Sequence, residues 1–277
     1  MVNFLPNEQE IYWKGTDQKI TPPLNRLEQN KEKTKHMQLY FIRHGQSQNN
    51  LLWVQTGSSD GRDTDPDLTP VGRQQAEKAA QFLSRPGSKA VSAPHSYDVQ
   101  NTGGFGITHI YCSLMLRAVI TGTIIAQALD LPLVAWEDVH EGGGIYRHDQ
   151  ESDERIGLPG NNRAYFEAHY PDLILPDSLG EEGWWNRPFE EREFMLVRAQ
   201  RFLHDLLEKH GGTDERVAVV SHGGFYNRVL RAILNLPDNR DHWFVINNAA
   251  ITRIDFGDEI RFAYMNRVDF LPPELIT

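Results

Sequence analysis

Short apolar segments alternate along this chain with longer segments whose apolar residues recur at helical spacing. Runs such as QLYFIR and RVAVVSH are rich in β-branched and aromatic residues, which is typical of buried strands. The alternation predicts an α/β layered fold with a mostly parallel sheet. The sequence predicts strands at 38–43, 107–113, 131–139 and 216–222, helices at about 70–84, 114–129, 189–210 and 225–234, and a terminal strand pair at 250–256 and 260–267.

The polar, proline-containing segment 1–37 differs in character from the rest of the chain, and we expect it to be an N-terminal extension. Residues 38–277 then form one catalytic domain, a size that one hydrophobic core can support. Two stretches are long for connections, at about 85–106 and 142–188. We expect both to be insertions, and the second to be a lid that sets substrate choice.

Composition excludes several classes of protein. The 277 residues carry a net charge of −10, which argues against nucleic acid or an anionic membrane as the main partner. The single cysteine excludes a disulfide framework and speaks against a cysteine-based zinc site. The chain has neither a long apolar run nor a signal-like start, so a cytoplasmic location is expected. A small anionic substrate is compatible with this charge, and a homo-oligomer stays open.

Reactive side chains follow four of the predicted strands. The first strand ends in Arg43-His44-Gly45, and another ends in His222-Gly223. Arg117 and Glu141 follow the two strands between them along the chain. Because ligands of parallel sheets bind beyond the carboxyl ends of the strands, we expect these side chains to meet at one rim.

This set of groups suits phosphoryl transfer. A neutral imidazole can attack phosphorus and form a phosphohistidine, and arginine forks bind phosphoryl oxygens in bidentate geometry. A carboxylic acid can protonate the leaving alkoxide. Because arginines can supply the necessary positive charge, the sequence predicts no metal and no cofactor.

Four motifs in order resemble the histidine phosphatase superfamily, in its phosphoglycerate mutase-like branch. They are FIRHGQSQNN, DLTPVGRQQA, YCSLMLRAVITGTIIA and VVSHGGF. The similarity covers 38–84, 107–141 and 216–256, about half the chain. It implies a three-layer α/β sandwich with helices on both faces of a mostly parallel sheet and an inserted lid.

The resemblance also implies a role for each residue at the rim. His44 would be the nucleophile, and Arg43, Arg117 and His222 would hold the phosphoryl group. Glu141 would donate the proton, with Asp138 and Glu137 as neighbouring alternatives; we favour Glu141 because Gly142–Gly144 would open space around its carboxyl. The lesser phosphate contacts would be Ser47, Asn50 and Gly223.

The segment after Glu141 departs from the mutase pattern. Mutases continue with Arg-x-Tyr-Gly and later an arginine pair, whereas this chain has Gly-Gly-Gly-Ile-Tyr and no Arg-Arg pair between 141 and 190. We therefore expect a metal-independent hydrolase of a small phosphomonoester. A 2,3-bisphosphoglycerate-dependent phosphoglycerate mutase and a non-catalytic protein that binds phosphorylated ligands are the alternatives.

Overall fold

A seven-stranded sheet lies at the centre of the computed structural model, which describes residues 36–87, 97–149, 151–239 and 241–277. Its strands are β1 (Met37–Arg43), β2 (His109–Cys112), β3 (Leu133–Ala135), β6 (Leu173–Ile174), β7 (Arg216–Ser221), β8 (Ile251–Phe256) and β9 (Ile260–Arg267); β4 (Tyr146–His148) and β5 (Arg155–Gly157) pair with each other. The spatial order is β6-β3-β2-β7-β1-β8-β9, and the first five strands are parallel. β8 runs antiparallel to β1, and β9 runs antiparallel to β8. The mostly parallel sheet and the terminal strand pair are thus confirmed.

Helices cover both faces of this sheet. Within the described ranges they are α1 (Gln48–Thr56), α2 (Pro70–Leu83), α3 (Leu116–Leu129), α4 (Arg163–His169), α5 (Arg192–His210) and α6 (Gly223–Leu234). The side chains of β1 alternate between the two faces, as a strand requires. Tyr40 and Ile42 pack with α2 and α3, whereas Leu39 and Phe41 pack with α5 and α6. The predicted three-layer sandwich is confirmed.

Local sequence signals place several element ends. The Thr69 hydroxyl accepts a hydrogen bond from the Gly72 N–H and caps α2, whose first residue is Pro70. α5 ends at His210 as predicted but begins three residues later, and α6 begins two residues earlier, at Gly223.

The strand predicted at 131–139 is too long. β3 stops at Ala135, and the chain turns through a short 3₁₀ helix, Glu137–Val139. The carbonyls of Asp138 and Val139 accept hydrogen bonds from the side chains of Arg198 and Ser221. Because side chains satisfy these carbonyls, the segment leaves the sheet ladder.

The long segment after Glu141 contains more regular structure than expected. It forms the β4–β5 hairpin, α4 and β6, and β6 joins the large sheet beside β3. In the first predicted insertion, residues 88–96 lie outside the described part. On either side of them, Pro86 and Gly104 form a β-bridge.

The first strand begins one residue earlier than predicted. β1 starts at Met37, which pairs with Phe256 of β8. Residues 1–35 lie outside the described part, so the proposed N-terminal extension stays a prediction. None of the helices in the described ranges has both the length and the apolar character that a bilayer crossing needs.

Candidate active site

Four adjacent parallel strands end at one edge of the sheet, and a reactive side chain follows each. The order across the sheet is β3, β2, β7, β1. Glu141 follows β3, Arg117 lies in the first turn of α3 after β2, His222 follows β7, and Arg43 and His44 lie at the end of β1. The parallel topology therefore gathers side chains that are up to 179 positions apart in sequence.

The hydrogen bonds of His44 determine which ring nitrogen is free to react. Its Nδ1 lies 2.7 Å from the carbonyl oxygen of Gly45, which can only accept, so Nδ1 carries the proton. Nε2 then has a lone pair, and Arg117 Nε donates to it at 3.3 Å. The side chain is buried, with 3% of the residue exposed. The site thus holds a neutral imidazole whose Nε2 faces a guanidinium.

His222 lies against His44 with its ring centroid 5.1 Å away. It is fully buried, and neither of its ring nitrogens has a hydrogen-bond partner within the described ranges. Leaving a buried polar group unpaired costs about 1–3 kcal/mol, so such groups generally have a ligand or another functional reason. The ring is therefore an unused hydrogen-bonding group directly beside the ring of His44.

Two arginines surround this pair of rings. Arg43 Nη1 donates to the carbonyl of Ile246 at 2.6 Å, while its buried Nε has no partner among the described residues. Arg117 Nη1 lies 3.7 Å from Asp65, and its Nη2 lies 3.0 Å from Met115 Sδ. Burial lowers the pKa of Arg43 to about 10, which still leaves it cationic at neutral pH. The two fixed guanidiniums make the site an anion receptor.

The Glu141 carboxylate lies at the N-terminus of α6. It accepts hydrogen bonds from the backbone N–H groups of Gly142 at 2.8 Å, Gly224 at 3.0 Å and Phe225 at 3.1 Å. A Cβ on Gly224 would lie 2.2 Å from Glu141 Oε1, so only glycine leaves room for the carboxylate here. Because α6 begins directly after His222, these contacts hold Glu141 at the histidine pair.

The two alternative carboxylates are engaged elsewhere. Asp138 forms a two-pronged ion pair with Arg201, at 2.6 and 2.7 Å. Glu137 accepts a hydrogen bond from the Ser178 hydroxyl at 2.7 Å. Of the three candidates, Glu141 is the one that the fold brings to the N-terminus of α6.

The glycines after Glu141 have a different purpose from the one expected. A Cβ on Gly143 would lie 2.4 Å from the Phe189 ring, and one on Gly144 would lie 2.2 Å from the Trp185 ring. Both glycines also have positive φ, of 88° and 74°. They therefore permit close packing of aromatic side chains, rather than opening space around the Glu141 carboxyl.

A buried arginine fixes the loop that carries Glu141. Arg198 forms a two-pronged ion pair with Glu190, with both distances 2.7 Å. Its Nη1 also donates to the carbonyls of Asp138 at 2.6 Å and His140 at 2.9 Å. The guanidinium thus holds the residues immediately before Glu141 in place.

The predicted lesser contacts lie beside the site, but two of them already have protein partners. Ser47 caps α1, and its hydroxyl donates to Asn50 Oδ1 at 3.0 Å. Asn248 Nδ2 lies 3.1 Å from both Asn50 Oδ1 and the carbonyl of His44. Gly223 opens α6, where an added Cβ would lie 3.5 Å from Arg43 Nε. Phosphate contacts from Ser47, Asn50 and Gly223 stay predictions.

Sequence reasoning missed three residues that hold this site together: Asp65, Arg198 and Asn248. Asp65 accepts the N–H of Leu116 at 3.0 Å and faces Arg117. The burial of Arg198 could have been predicted, because Arg198 lies four positions before Phe202 on the apolar side of α5. The contacts of Asp65 and Asn248 depend on tertiary structure that no local pattern reveals.

One cluster of potential metal ligands lies at the other edge of the sheet. Ligand atoms of His109, His210 and Glu215 lie within 4.8 Å of one another. His210 uses both ring nitrogens in protein contacts, with Glu215 at 2.7 Å and with the Tyr111 hydroxyl at 3.0 Å. These contacts form a hydrogen-bond network at the start of β2 and β7, remote from the strand ends that carry the reactive groups.

Burial controls the protonation of three histidines near the site. It lowers the pKa of His44 and His222 well below the usual value, and the nearby Arg117 acts in the same direction. Burial and the Arg198 charge likewise lower the pKa of His140. Burial has the opposite effect on an acid and raises the pKa of Asp65 to about 7.

These shifts predict that the protein loses stability as the pH falls below about 6.5. Below this pH the three histidines bind protons in the unfolded chain but stay neutral in the folded protein. Each of them then lowers the free energy of unfolding by about 1.4 kcal/mol per pH unit. Asp65 has the opposite effect and offsets the contribution of one histidine. Its carboxyl stays protonated in the folded protein at a pH where the unfolded chain has lost that proton. Denaturant unfolding between pH 5 and 7.5 measures the slope. We expect His140→Gln to flatten it and the exposed His204→Gln to leave it unchanged; a flat profile for the unmodified protein would contradict the argument.

Comparison with known proteins agrees with this geometry. The sequence profile of the histidine phosphatase superfamily (branch 1) matches residues 39–96 and 99–266. A probable phosphoglycerate mutase GpmB from Enterobacter sp. (strain 638) is 28% identical over 226 residues, covering 80% of this chain and 86% of that protein. The 2,3-bisphosphoglycerate-dependent phosphoglycerate mutase 1 of Latilactobacillus sakei is 23% identical over 236 residues, covering 80% and 90%.

Solved structures share the fold. Mycobacterial hydrolase 1 superposes with a TM-score of 0.53 at 19% identity, covering 84% of this chain and 99% of its own. Bacillus stearothermophilus YhfR gives a TM-score of 0.51 at 20% identity, covering 84% and 98%. Together with the match of the family profile to most of the sequence, these findings show that the chain is an enzyme of the histidine phosphatase superfamily.

Proposed function

We propose that this enzyme hydrolyses small phosphomonoesters through a phosphohistidine on His44 and without a metal ion. The observation that carries the proposal is that buried polar groups near His44, namely His222 and Arg43 Nε, have no partner within the described residues. With Arg117, which contacts His44, they could donate hydrogen bonds to the oxygens of a phosphoryl group on His44. Ser47, Asn50 and Gly223 are proposed as further contacts to that group.

In the first step, the lone pair on His44 Nε2 forms the N–P bond while the P–O ester bond breaks. Arg43 and Arg117 balance the charge on the three phosphoryl oxygens, and His222 donates a further hydrogen bond. The departing alkoxide takes a proton from the protonated carboxyl of Glu141, which lies beside His222. The alcohol leaves, and Glu141 becomes a carboxylate.

In the second step, Glu141 takes a proton from a water molecule as that water attacks phosphorus. The P–N bond breaks, inorganic phosphate is released, and His44 regains its neutral imidazole. The hydrogen bond from His44 Nδ1 to the Gly45 carbonyl keeps the proton on Nδ1 through both steps, so the His44 ring does not need to reorient. Each proton that Glu141 gives in the first step is thereby recovered in the second.

Hydrolysis is favoured over mutase activity by the segment after Glu141. Relatives at 23–28% identity are named phosphoglycerate mutases, and a mutase must hold the bisphosphate while the phosphoryl group returns. In this chain Gly143 and Gly144 pack under Phe189 and Trp185, so aromatic rings occupy the place next to the acid. The segment also lacks an Arg-Arg pair that could hold a second anionic group of a substrate, so the proposed acceptor of the phosphoryl group is water.

Phosphate release from a panel of phosphorylated metabolites tests the proposal. The assays contain EDTA, and the His44→Ala variant serves as the blank. We expect metal-independent phosphate release that the blank lacks. Incubation with 3-phosphoglycerate and the bisphosphate primer separates the alternatives: isomerisation without free phosphate would establish a mutase, and binding without turnover would establish a non-catalytic protein.

A further inference from the structure

The segment between Glu141 and Glu190 contains a cavity that the phosphoryl chemistry does not use. Its volume is about 630 Å³, and its walls come from two stretches, 159–165 and 181–186. The two ends of the larger segment meet where the N–H of Glu190 donates to the carbonyl of Gly143 at 3.1 Å. The cavity therefore belongs to a structure that is anchored directly beside the proposed acid.

The cavity walls carry neutral amides, a phenol and carboxylates. Asn161, Asn162, Asn186 and Tyr165 supply amide and hydroxyl groups. The three amide nitrogens each donate one hydrogen bond within the protein, to Asp65, to the Glu181 carbonyl and to Glu182, so a ligand would use their remaining N–H groups, the amide oxygens of Asn161 and Asn186, and the Tyr165 hydroxyl. The nine described lining residues also include two glutamates and contain no lysine or arginine: Pro159, Gly160, Asn161, Asn162, Tyr165, Glu181, Glu182, Gly183 and Asn186. Such groups form hydrogen bonds with hydroxyls in both directions. Carboxylates would repel a second phosphate or carboxylate of a substrate.

A short series of contacts joins this cavity to the nucleophile. Asn161 Nδ2 donates to Asp65 Oδ2 at 3.4 Å, and Asp65 Oδ1 lies 3.7 Å from Arg117 Nη1. Arg117 Nε in turn donates to His44 Nε2. A single side chain, that of Asp65, thus separates the cavity wall from the arginine that would hold the phosphoryl group.

A second observation points to a ligand on this side of the molecule. The indole Nε1 of Trp184 has no hydrogen-bond partner in the described part of the chain, although only 4% of the residue is exposed. The lining residue Gly160 lies against it, and a Cβ on Gly160 would be 2.8 Å from Nε1. Glycine at this position lets the backbone of the cavity wall lie directly against the buried indole, so its unpartnered N–H is next to the lining.

We propose that the cavity binds the alcohol part of the substrate, and that this part is a neutral, hydroxyl-rich group such as a sugar or polyol. The inference rests on the proposed function, since it names the class of phosphomonoester that the His44 site cleaves. The phosphate of such a substrate lies at Arg43 and Arg117, and its hydroxyls face the amides and carboxylates of the cavity. A bisphosphate or a phosphorylated acid would bring a second anion toward Glu181 and Glu182.

Substrates of equal leaving-group character test this choice. Monophosphates of hexoses and hexitols at a primary hydroxyl are compared with n-hexyl phosphate and with a hexose bisphosphate, and p-nitrophenyl phosphate is the reference. We expect kcat/KM for the neutral sugar or polyol monophosphate to exceed that for n-hexyl phosphate and that for the hexose bisphosphate by at least about tenfold, which corresponds to one or two additional hydrogen bonds. A preference for the alkyl phosphate or the bisphosphate would overturn the inference.

Two variants locate the effect in the cavity. Asn161→Ala and Tyr165→Phe should each lower the ratio of kcat/KM for the sugar phosphate to that for p-nitrophenyl phosphate by about three- to tenfold, mainly through KM. Tyr165→Phe removes one hydroxyl only, so it keeps the test valid if Asn161→Ala folds poorly. The exposed Asn239→Ala, which loses a contact with Asp241, is the matched control and should leave the ratio as it is.

The outcomes keep the two proposals apart. If p-nitrophenyl phosphate is not hydrolysed, or is hydrolysed equally by His44→Ala, the proposed function fails. If p-nitrophenyl phosphate is hydrolysed in a His44-dependent way but the cavity variants leave the ratio unchanged, the function stands and the sugar site is wrong.

Discussion

His44→Ala is expected to reduce phosphate release by about four orders of magnitude or more, the scale seen when a catalytic nucleophile or its partner is lost. Without the imidazole no N–P bond can form, and water would have to attack the ester directly. Brief exposure of the unmodified enzyme to a ³²P-labelled substrate should give a protein-bound label that is stable in alkali and lost in acid, as expected for phosphohistidine. The variant should show no label.

Ligand binding supplies the control for this variant. Arg43, Arg117 and His222 stay in place, so inorganic phosphate should still raise the melting temperature of His44→Ala. His204→Gln, an exposed histidine on α5, should retain full activity. Undiminished turnover by His44→Ala, or an alkali-labile label on the unmodified enzyme, would refute the phosphohistidine mechanism.

Glu141→Gln is expected to slow hydrolysis most for substrates whose leaving group must be protonated. An alkoxide must be protonated as it leaves, so hydrolysis of an alkyl phosphate should fall by about 10²- to 10⁴-fold. A 2,4-dinitrophenolate leaves without a proton, so kcat/KM for its phosphate, which reports the first step, should change far less. The loss of the base in the second step lowers kcat for both substrates. The amide oxygen can still accept the N–H groups of Gly142 and Phe225, but the amide nitrogen cannot accept that of Gly224, so the variant keeps two of the three contacts. Steady-state kinetics on the two substrates measures the contrast.

Two further variants sharpen this result. Gly224→Ala places a Cβ where the Glu141 carboxylate lies, so it should reproduce the selective loss on alkyl phosphates without altering the acid itself. Asp138→Asn breaks the ion pair with Arg201 but leaves Glu141 in position, and it should not discriminate between leaving groups. Equal losses of kcat/KM on both substrates for Glu141→Gln would assign it a role other than proton donation.

The sequence predicted the parts of this structure that local patterns encode. β1, β2 and β7 are short apolar runs, and their ends could be read from the residues directly after them, such as His44-Gly45 after β1. Parallel topology then implied that these ends would meet, and the structure places the rings of His44 and His222 5.1 Å apart. The convergence could be predicted because it depends on the direction of strands and not on side-chain packing.

The missed elements lack such patterns. α1 has no buried residue, so it shows no apolar stripe, and it depends on the cap that Ser47 and Asn50 form. β6 has two residues, too few for an alternation to be visible. Asp65 and Asn248, which brace the site, act through contacts with residues 51 to 204 positions away, and such pairings arise only from the tertiary fold.

The two ends of the segment after Glu141 are in contact with each other, and this affects how related enzymes can differ in this region. The contact between Gly143 and Glu190, with Arg198 across it, brings the segment's entry and exit together. Lengthening a loop whose ends already meet costs little additional closure entropy. The exposed turns of the segment can therefore be resized at small cost, whereas Phe166, Trp184 and Trp185 pack in the core that covers the sheet. Evolution, or an engineer, could in this way vary the surface of the proposed alcohol-binding cavity while the residues at the strand ends stay unchanged.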